Sequence, residues 1–254
     1  MKAIAVVILC FSAFLAMAPF AKAQKNPPKH IRFLALGELW TWSETLDKKT
    51  RKGEPPPPGA NPPAATALVS GDQAVPFRFN LRSFTKLLTM AGSTPKLEIK
   101  AGTKEAYETW LSSPMPAAPL SLGVVYRDPA TMLWNNPKFL LLKDDKDSFK
   151  PGQIRFVNVS NKVALVKLGN DGFKLPPGKS VIKAIKVGAT PLMLGYQNGG
   201  EQVVLEQNTT RVLTNQRVQV FFFQARDPES STGPVRTRQM FETVPKLPKA
   251  PKVP

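Results

Sequence analysis

An all-β sandwich is the fold this chain predicts, and three observations carry the argument. First, short β-rich runs alternate with turn residues between Lys150 and Gln224. Ile154 to Val159, Val163 to Leu168, Val181 to Val187, Leu192 to Tyr196, Val203 to Leu205 and Val218 to Phe223 are separated by Asn161, Asn170-Asp171-Gly172, Pro176-Pro177-Gly178, Gly188 and Asn198-Gly199-Gly200. Strands at this spacing, bounded by Gly, Pro, Asn and Asp, are the pattern of an antiparallel sandwich. Second, Val75 to Leu81 sets Phe77 and Phe79 against Arg78 and Asn80, a period of two that gives a strand one apolar face. Third, Val218 to Phe223 (VQVFFF) has no polar residue after Gln219, so both its faces need cover, as on a central strand.

In chain order, Met1 to Ala23 carries Lys2, an apolar run from Ala3 to Phe20, and Ala21-Lys22-Ala23 ahead of Gln24. A charged n-region, an apolar h-region and a small-x-small site define a signal peptide over residues 1–23. An uncleaved anchor is the alternative, since the apolar run approaches the length of a membrane span. Cys10 lies inside the h-region behind Leu9, which argues against a lipid anchor. Residues 24–76 read as an N-terminal strand and a proline-rich loop. Ile31 to Trp42 docks on the body; Leu46 to Gln73 is a long exposed loop whose Pro55-Pro56-Pro57-Pro58-Gly59 and Pro62-Pro63 join neither a ladder nor a helix.

Residues 77–225 are the sandwich body. Ser83 to Met90 is open between strand and short helix, and Lys96 to Lys100 alternates as an edge or surface strand. Thr103 to Leu111, with a Thr cap and Tyr107, Trp110 and Leu111 on one side, reads as the one short helix. Leu120 to Tyr126 and Lys138 to Leu142 are strands, with turns at Arg127-Asp128-Pro129 and Asn135-Asn136-Pro137 between them. Asp144-Asp145-Lys146-Asp147 lacks the spaced oxygen ligands of a calcium loop and reads as a solvated turn. One body from Ile31 to Gln224 is favoured over two sandwiches meeting near Phe149, because the Asp144 to Gly152 link is short. Residues 226–254, rich in proline, arginine and lysine, read as a disordered basic tail with almost nothing to bury.

The 35 Lys and Arg against 18 Asp and Glu give a net charge of +17, or +15 once Lys2 and Lys22 leave with the signal peptide. An excess of this size favours anionic partners. Export turns attention away from nucleic acid and toward anionic envelope polymers, acidic glycans or another envelope protein. Between Lys150 and Lys186 the one acid is Asp171, so Lys162, Lys167, Lys174, Lys179, Lys183 and Lys186 form the candidate anion-binding surface. The competing and favoured reading of these lysines is protection of sheet edges against aggregation.

Cys10 and His30 are the single cysteine and histidine. Disulfides, zinc–thiolate sites and cysteine nucleophiles are thereby excluded from the mature chain, and a Ser-His-Asp triad is disfavoured. No phosphate loop or dinucleotide fingerprint follows a strand. No catalytic, metal or cofactor-binding residue is assigned, and no cofactor is expected. A carboxylate pair or a Ser–Lys dyad remains the chemical route to an enzyme, a hydrolase acting on glycans. Asn158-Val159-Ser160 and Asn208-Thr209-Thr210 match the N-glycosylation pattern.

The run IRFVNVSNKVALVKLG from Ile154, followed by LPPGKS and a Gly-bounded strand, resembles the immunoglobulin-like domains of uncharacterised exported bacterial proteins. That resemblance covers about 75 residues. It implies an envelope-associated immunoglobulin-like sandwich without assigned activity, and it carries over no functional residue. The expected protein is thus exported, periplasmic or secreted, and a non-enzymatic binding or structural protein engaging an anionic partner.

Overall fold

The computed structural model describes residues 26–40, 43–47, 50–102, 106–115, 117–226 and 233–248, among which every regular element is a strand. The first half holds β1 (Lys29–Leu36), β2 (Ser43–Asp47), β3 (Thr50–Glu54), β4 (Thr66–Ser70), β5 (Gln73–Phe77), β6 (Leu88–Met90), β7 (Lys96–Gly102), β8 (Tyr107–Pro114), β9 (Leu120–Tyr126) and β10 (Lys138–Lys143). The second holds β11 (Gln153–Asn158), β12 (Ala164–Leu168), β13 (Asp171–Leu175), β14 (Ser180–Ala184), β15 (Gly188–Asn198), β16 (Glu201–Val212), β17 (Gln216–Gln224) and β18 (Val235–Thr243). The signal peptide expected over residues 1–23 lies outside the described residues.

The strands pair as four sheets of four, in the orders β10-β9-β1-β6, β5-β4-β7-β8, β14-β11-β17-β18 and β13-β12-β15-β16, plus the β2-β3 hairpin. One plan is used twice. β1 and β4 to β10 take in the first half the places that β11 to β18 take in the second, and the β2-β3 hairpin is an insertion after β1. The sequence marks the same repeat. Ile31-Arg32-Phe33 on β1 matches Ile154-Arg155-Phe156 on β11, and Arg127-Asp128-Pro129 after β9 matches Arg226-Asp227-Pro228 after β17. In each half the first strand pairs in parallel with the next-to-last, Ile31 opposite Ser121 and Ile154 opposite Val218. The expected all-antiparallel pairing is corrected there.

Side-chain alternation turns these sheets into four layers. Ile31, Phe33 and Ala35 of β1 pack with Leu68, Leu97 and Ile99 of the β5-β4-β7-β8 sheet, while Leu34 and Leu36 pack with Val157, Phe221 and Phe223 of the β14-β11-β17-β18 sheet. On β17, Val218, Val220 and Phe222 turn the other way, onto Val166 and Leu194 of the last sheet. Val218 to Phe223 is no more than 3% exposed at any residue, because β17 lies between β11 and β18 in its sheet and between two layers. Each sheet pair has its own core, and a third core joins the two pairs across β1, β9, β11 and β17. The Asp144 to Gly152 link connects them.

Several expectations are corrected. The loop over Leu46 to Gln73 takes in the end of β2, all of β3 and β4, whose Ala67 and Leu68 are buried. Lys96 to Lys100 lies in an interior strand, with Leu97 and Ile99 fully buried and Lys96 and Glu98 outward. The helix over Thr103 to Leu111 is replaced, from Tyr107 on, by β8, since cross-strand pairing with β7 outweighs helix propensity; Thr103 to Glu105 lie outside the described residues. Of Ser83 to Met90, only Leu88 to Met90 is strand. Within residues 226–254, Val235 to Thr243 is a strand paired along its whole length with β17.

The stretch that carried the immunoglobulin-like resemblance is knitted through Asn158. Its Nδ2 donates to the carbonyls of Lys162 and Leu175, both at 2.8 Å, and its Oδ1 accepts from Ser160 N at 3.0 Å and Oγ at 2.7 Å. Gly178, at φ 72°, donates its N–H to the Asn158 carbonyl at 2.8 Å, so the Pro-Gly turn is held to the same residue. Asn158 is therefore buried, whereas the Asn208 of the other glycosylation pattern is exposed.

Candidate anion-binding cleft between the two halves

The layer between β1 and β17 is apolar in the middle and charged at both ends. At the first end, Arg32 donates through Nη1 to Glu242 Oε2 at 2.5 Å, through Nη2 to Glu242 Oε1 at 2.7 Å, and through Nε to Asp144 Oδ2 at 2.8 Å. Arg217 donates to Asp144 Oδ1 at 3.0 Å, to Glu242 Oε1 at 3.1 Å, and to the carbonyls of Asp144 and Phe149 at 3.0 and 2.9 Å. Arg155 reaches Asp144 Oδ1 at 3.3 Å, and its guanidinium lies 4.1 Å over the Phe149 ring. Asp144 is fully buried, which corrects the solvated turn expected there, and Arg155 is 2% exposed.

Three guanidinium groups thus face two carboxylates away from water. Burial pushes Arg155 down to about 10 against the pull of Asp144. It pushes the Asp144 carboxyl up, opposed by Arg32 and Arg217. Burial would also raise Glu242, but the hydrogen bond and charge of Arg32, with the charge of Arg217, hold it below the usual carboxylate range. All three guanidinium nitrogens of both Arg32 and Arg217 are engaged, so this end is a joint between the halves.

At the opposite end β1 runs out through Gly37-Glu38-Leu39, and β17 and β18 bring Arg226, Arg236 and Arg238. Here a cleft of about 700 Å³ is lined by Gly37 to Leu39, Asn61 to Ala64, Arg78 to Arg82 and Arg238. The proline-rich segment forms one wall. Asn61 fixes it, accepting from Trp40 N at 2.8 Å and donating to Trp40 O at 3.0 Å. Among the described residues the one carboxylate of the lining, Glu38, accepts from Arg226 N at 2.7 Å and from Arg236 Nε at 3.2 Å. Arg238 lies 5.3 Å over the Phe223 ring, and Arg226 lies 5.4 Å over that of Trp40.

Among the described residues, positive charge is in excess at this end. Arg78, Arg82 and Arg238 line the cleft, and Arg78 and Arg82 are exposed. Arg238 Nη1 is buried without a hydrogen-bond partner among the described residues. The same holds for Nη1 of Arg127, which is 3% exposed and whose Nε lies 3.4 Å from where a Cβ on Gly37 would stand. Burial lowers both arginines, and the nearby charge of Arg82 lowers Arg238 further. A site of this kind suits carboxylate or phosphate oxygens, which accept from guanidinium in a bidentate fork.

The six lysines expected as an anion-binding surface are spread around the second half. Lys167 and Lys174 share the outer face of the β13-β12-β15-β16 sheet and line one depression, and Lys186 lines another. Lys162 donates to Asn198 Oδ1 at 3.0 Å, and Lys183 lies 5.3 Å over the Phe173 ring. Lys179 sits exposed in the Pro-Gly turn. The cleft arginines escaped the sequence reading because they come from separate segments. The legible signal was the doubled Arg-Asp-Pro, which places Arg127 and Arg226 at matching strand ends. No known family model matches this chain, and no curated protein matches it.

Proposed function

We propose that this is an exported, non-enzymatic protein of two immunoglobulin-like sandwiches, periplasmic or secreted, that holds an anionic partner in the arginine cleft between its halves. The partner class is a carboxylate-bearing polymer or glycan segment of the cell envelope. One observation carries the reading: Arg238, which lines the cleft with Arg78 and Arg82, has a buried guanidinium nitrogen, Nη1, without a partner among the described residues. An unmade hydrogen bond at a buried polar group costs about 1–3 kcal/mol, which a bound oxyanion recovers. The N-terminal residues 1–23 support export, and the net positive charge of the chain favours an anionic partner.

The non-enzymatic part rests on the acids. Asp144 and Glu242 are both engaged by arginines, and among the described residues the cleft lining holds one carboxylate and neither Ser nor Lys. The carboxylate pair or Ser–Lys dyad of a glycan hydrolase therefore has no support there. Titration with polygalacturonate at rising salt tests the reading. Binding should persist at moderate ionic strength and fall at least tenfold in an Arg82→Glu/Arg238→Gln variant. Binding that vanishes with screening and ignores that variant would be non-specific attraction to a basic protein.

A further inference from the structure

We propose a second site: the outer face of the β13-β12-β15-β16 sheet binds a single-chain anionic amphiphile, an aliphatic carboxylate, with its chain lying across the strands. The register sets this face. Leu165 stands opposite Lys174 and Gly195, Lys167 opposite Gly172 and Met193, and Gly195 opposite Val204. Gly172 is the position among these that leaves open space, and the sheet surface here carries a depression of about 310 Å³ whose lining includes Leu165, Met193 and Val204 together with Lys167 and Lys174. Val204 is 56% exposed, and among the described residues no carboxylate lines the depression.

Three features set this face apart from an ordinary solvated sheet. Lys167 is on β12, an interior strand, so protection of a sheet edge does not account for it, though it does for Lys174 on edge strand β13. Gly172 lies in a strand with nothing within 4 Å of where its Cβ would stand, and it is not among the glycines of positive φ. Glycine weakens a strand, and neither packing nor backbone geometry requires one here; what it leaves is room. The floor is apolar while the rim is cationic, a combination that neither a simple anion nor a neutral lipid matches on both counts. Crossing from β13 to β16 spans three inter-strand gaps, about 14 Å, the reach of an extended twelve-carbon chain. A depression rather than a raised face suits one chain better than a bilayer surface.

The test titrates the full chain with laurate below its micelle concentration, following binding by calorimetry. Saturable one-to-one binding is expected, weakened at least tenfold in Lys167→Glu/Lys174→Glu and in Gly172→Leu, which fills the depression. Gly172→Leu should keep or raise the melting temperature, so lost binding is not lost folding. Dodecanol should bind at least tenfold more weakly than laurate, and Arg82→Glu/Arg238→Gln should bind laurate like the unaltered chain, which separates this site from the cleft. Absence of saturable laurate binding, or binding indifferent to Gly172→Leu, overturns the proposal. So does attachment to phosphatidylglycerol vesicles without affinity for free laurate, or self-association through this face that Gly172→Leu abolishes while laurate fails to bind.

Discussion

Arg32 on the first strand and Glu242 on the last meet in two side-by-side hydrogen bonds, 2.5 and 2.7 Å long, across 210 residues of chain. Removing one partner of a buried pair leaves the other charge uncompensated, at about 3–5 kcal/mol. Glu242→Ala should therefore lower the urea midpoint of unfolding markedly, since Arg32 and Arg217 would share Asp144 alone. Glu98→Ala serves as the contrast. Its partner Lys96 is 60% exposed, and a surface pair of that kind is worth about 1 kcal/mol or less.

The same carboxylate gives a pH dependence with a definite sign. Burial alone would raise Glu242, but the hydrogen bond and charge of Arg32, joined by Arg217 and Gln219, hold it below its unfolded value. A depressed acid contributes stability that is full above the unfolded value, about 4.3, and is lost as pH falls through the lower folded one. The stability gap between the unaltered chain and Glu242→Gln should accordingly be largest near neutrality and shrink below about pH 4. Chemical denaturation at stepped pH measures it. A gap that widens on acidification would mean the carboxylate is not held in its charged form.

β17 and β18 should stand or fall together. Phe222 is fully buried in the core of the second half, and Phe222→Ala should cost about 3–5 kcal/mol. Truncation after Gly233 removes a strand paired from Val235 to Thr243, with it Val235 from that core and Glu242 from the joint. The truncated chain should fail to fold cooperatively in a thermal melt.

What was legible in the sequence follows from how local the signal is. The central position of VQVFFF and the two-residue period at Phe77 and Phe79 come from neighbouring residues, and the strands are there, although Phe79 lies just past the end of β5. The strand over Val235 to Thr243 was hidden because Arg236, Arg238 and Glu242 look like solvated charges; they face another sheet whose existence no local window reveals. The burial of Arg155 is hidden for the same reason, since its partner Asp144 lies on the link between halves and Arg217 on a distant strand. The cleft is non-local in the same way, assembled from the ends of β1 and β18, the proline segment and the stretch after β5.

Gly123 offers a packing test. A Cβ there would stand 2.5 Å from Cδ1 of Phe33 and 2.7 Å from Cε2 of Phe139. Gly123→Ala should destabilise by about 1–3 kcal/mol through overpacking, although alanine suits a strand better than glycine does. Equal or higher stability by thermal melt would show that the two rings have room to shift.

The most direct test of the cleft reading follows the arginine side chains themselves. In an Nε–Hε nuclear magnetic resonance titration with a hexagalacturonate oligomer, Arg82 and Arg238 should shift saturably and together, at a midpoint that Arg78→Ala raises. Arginine signals unmoved at saturation would contradict the assignment of the anionic partner to the cleft between the two halves.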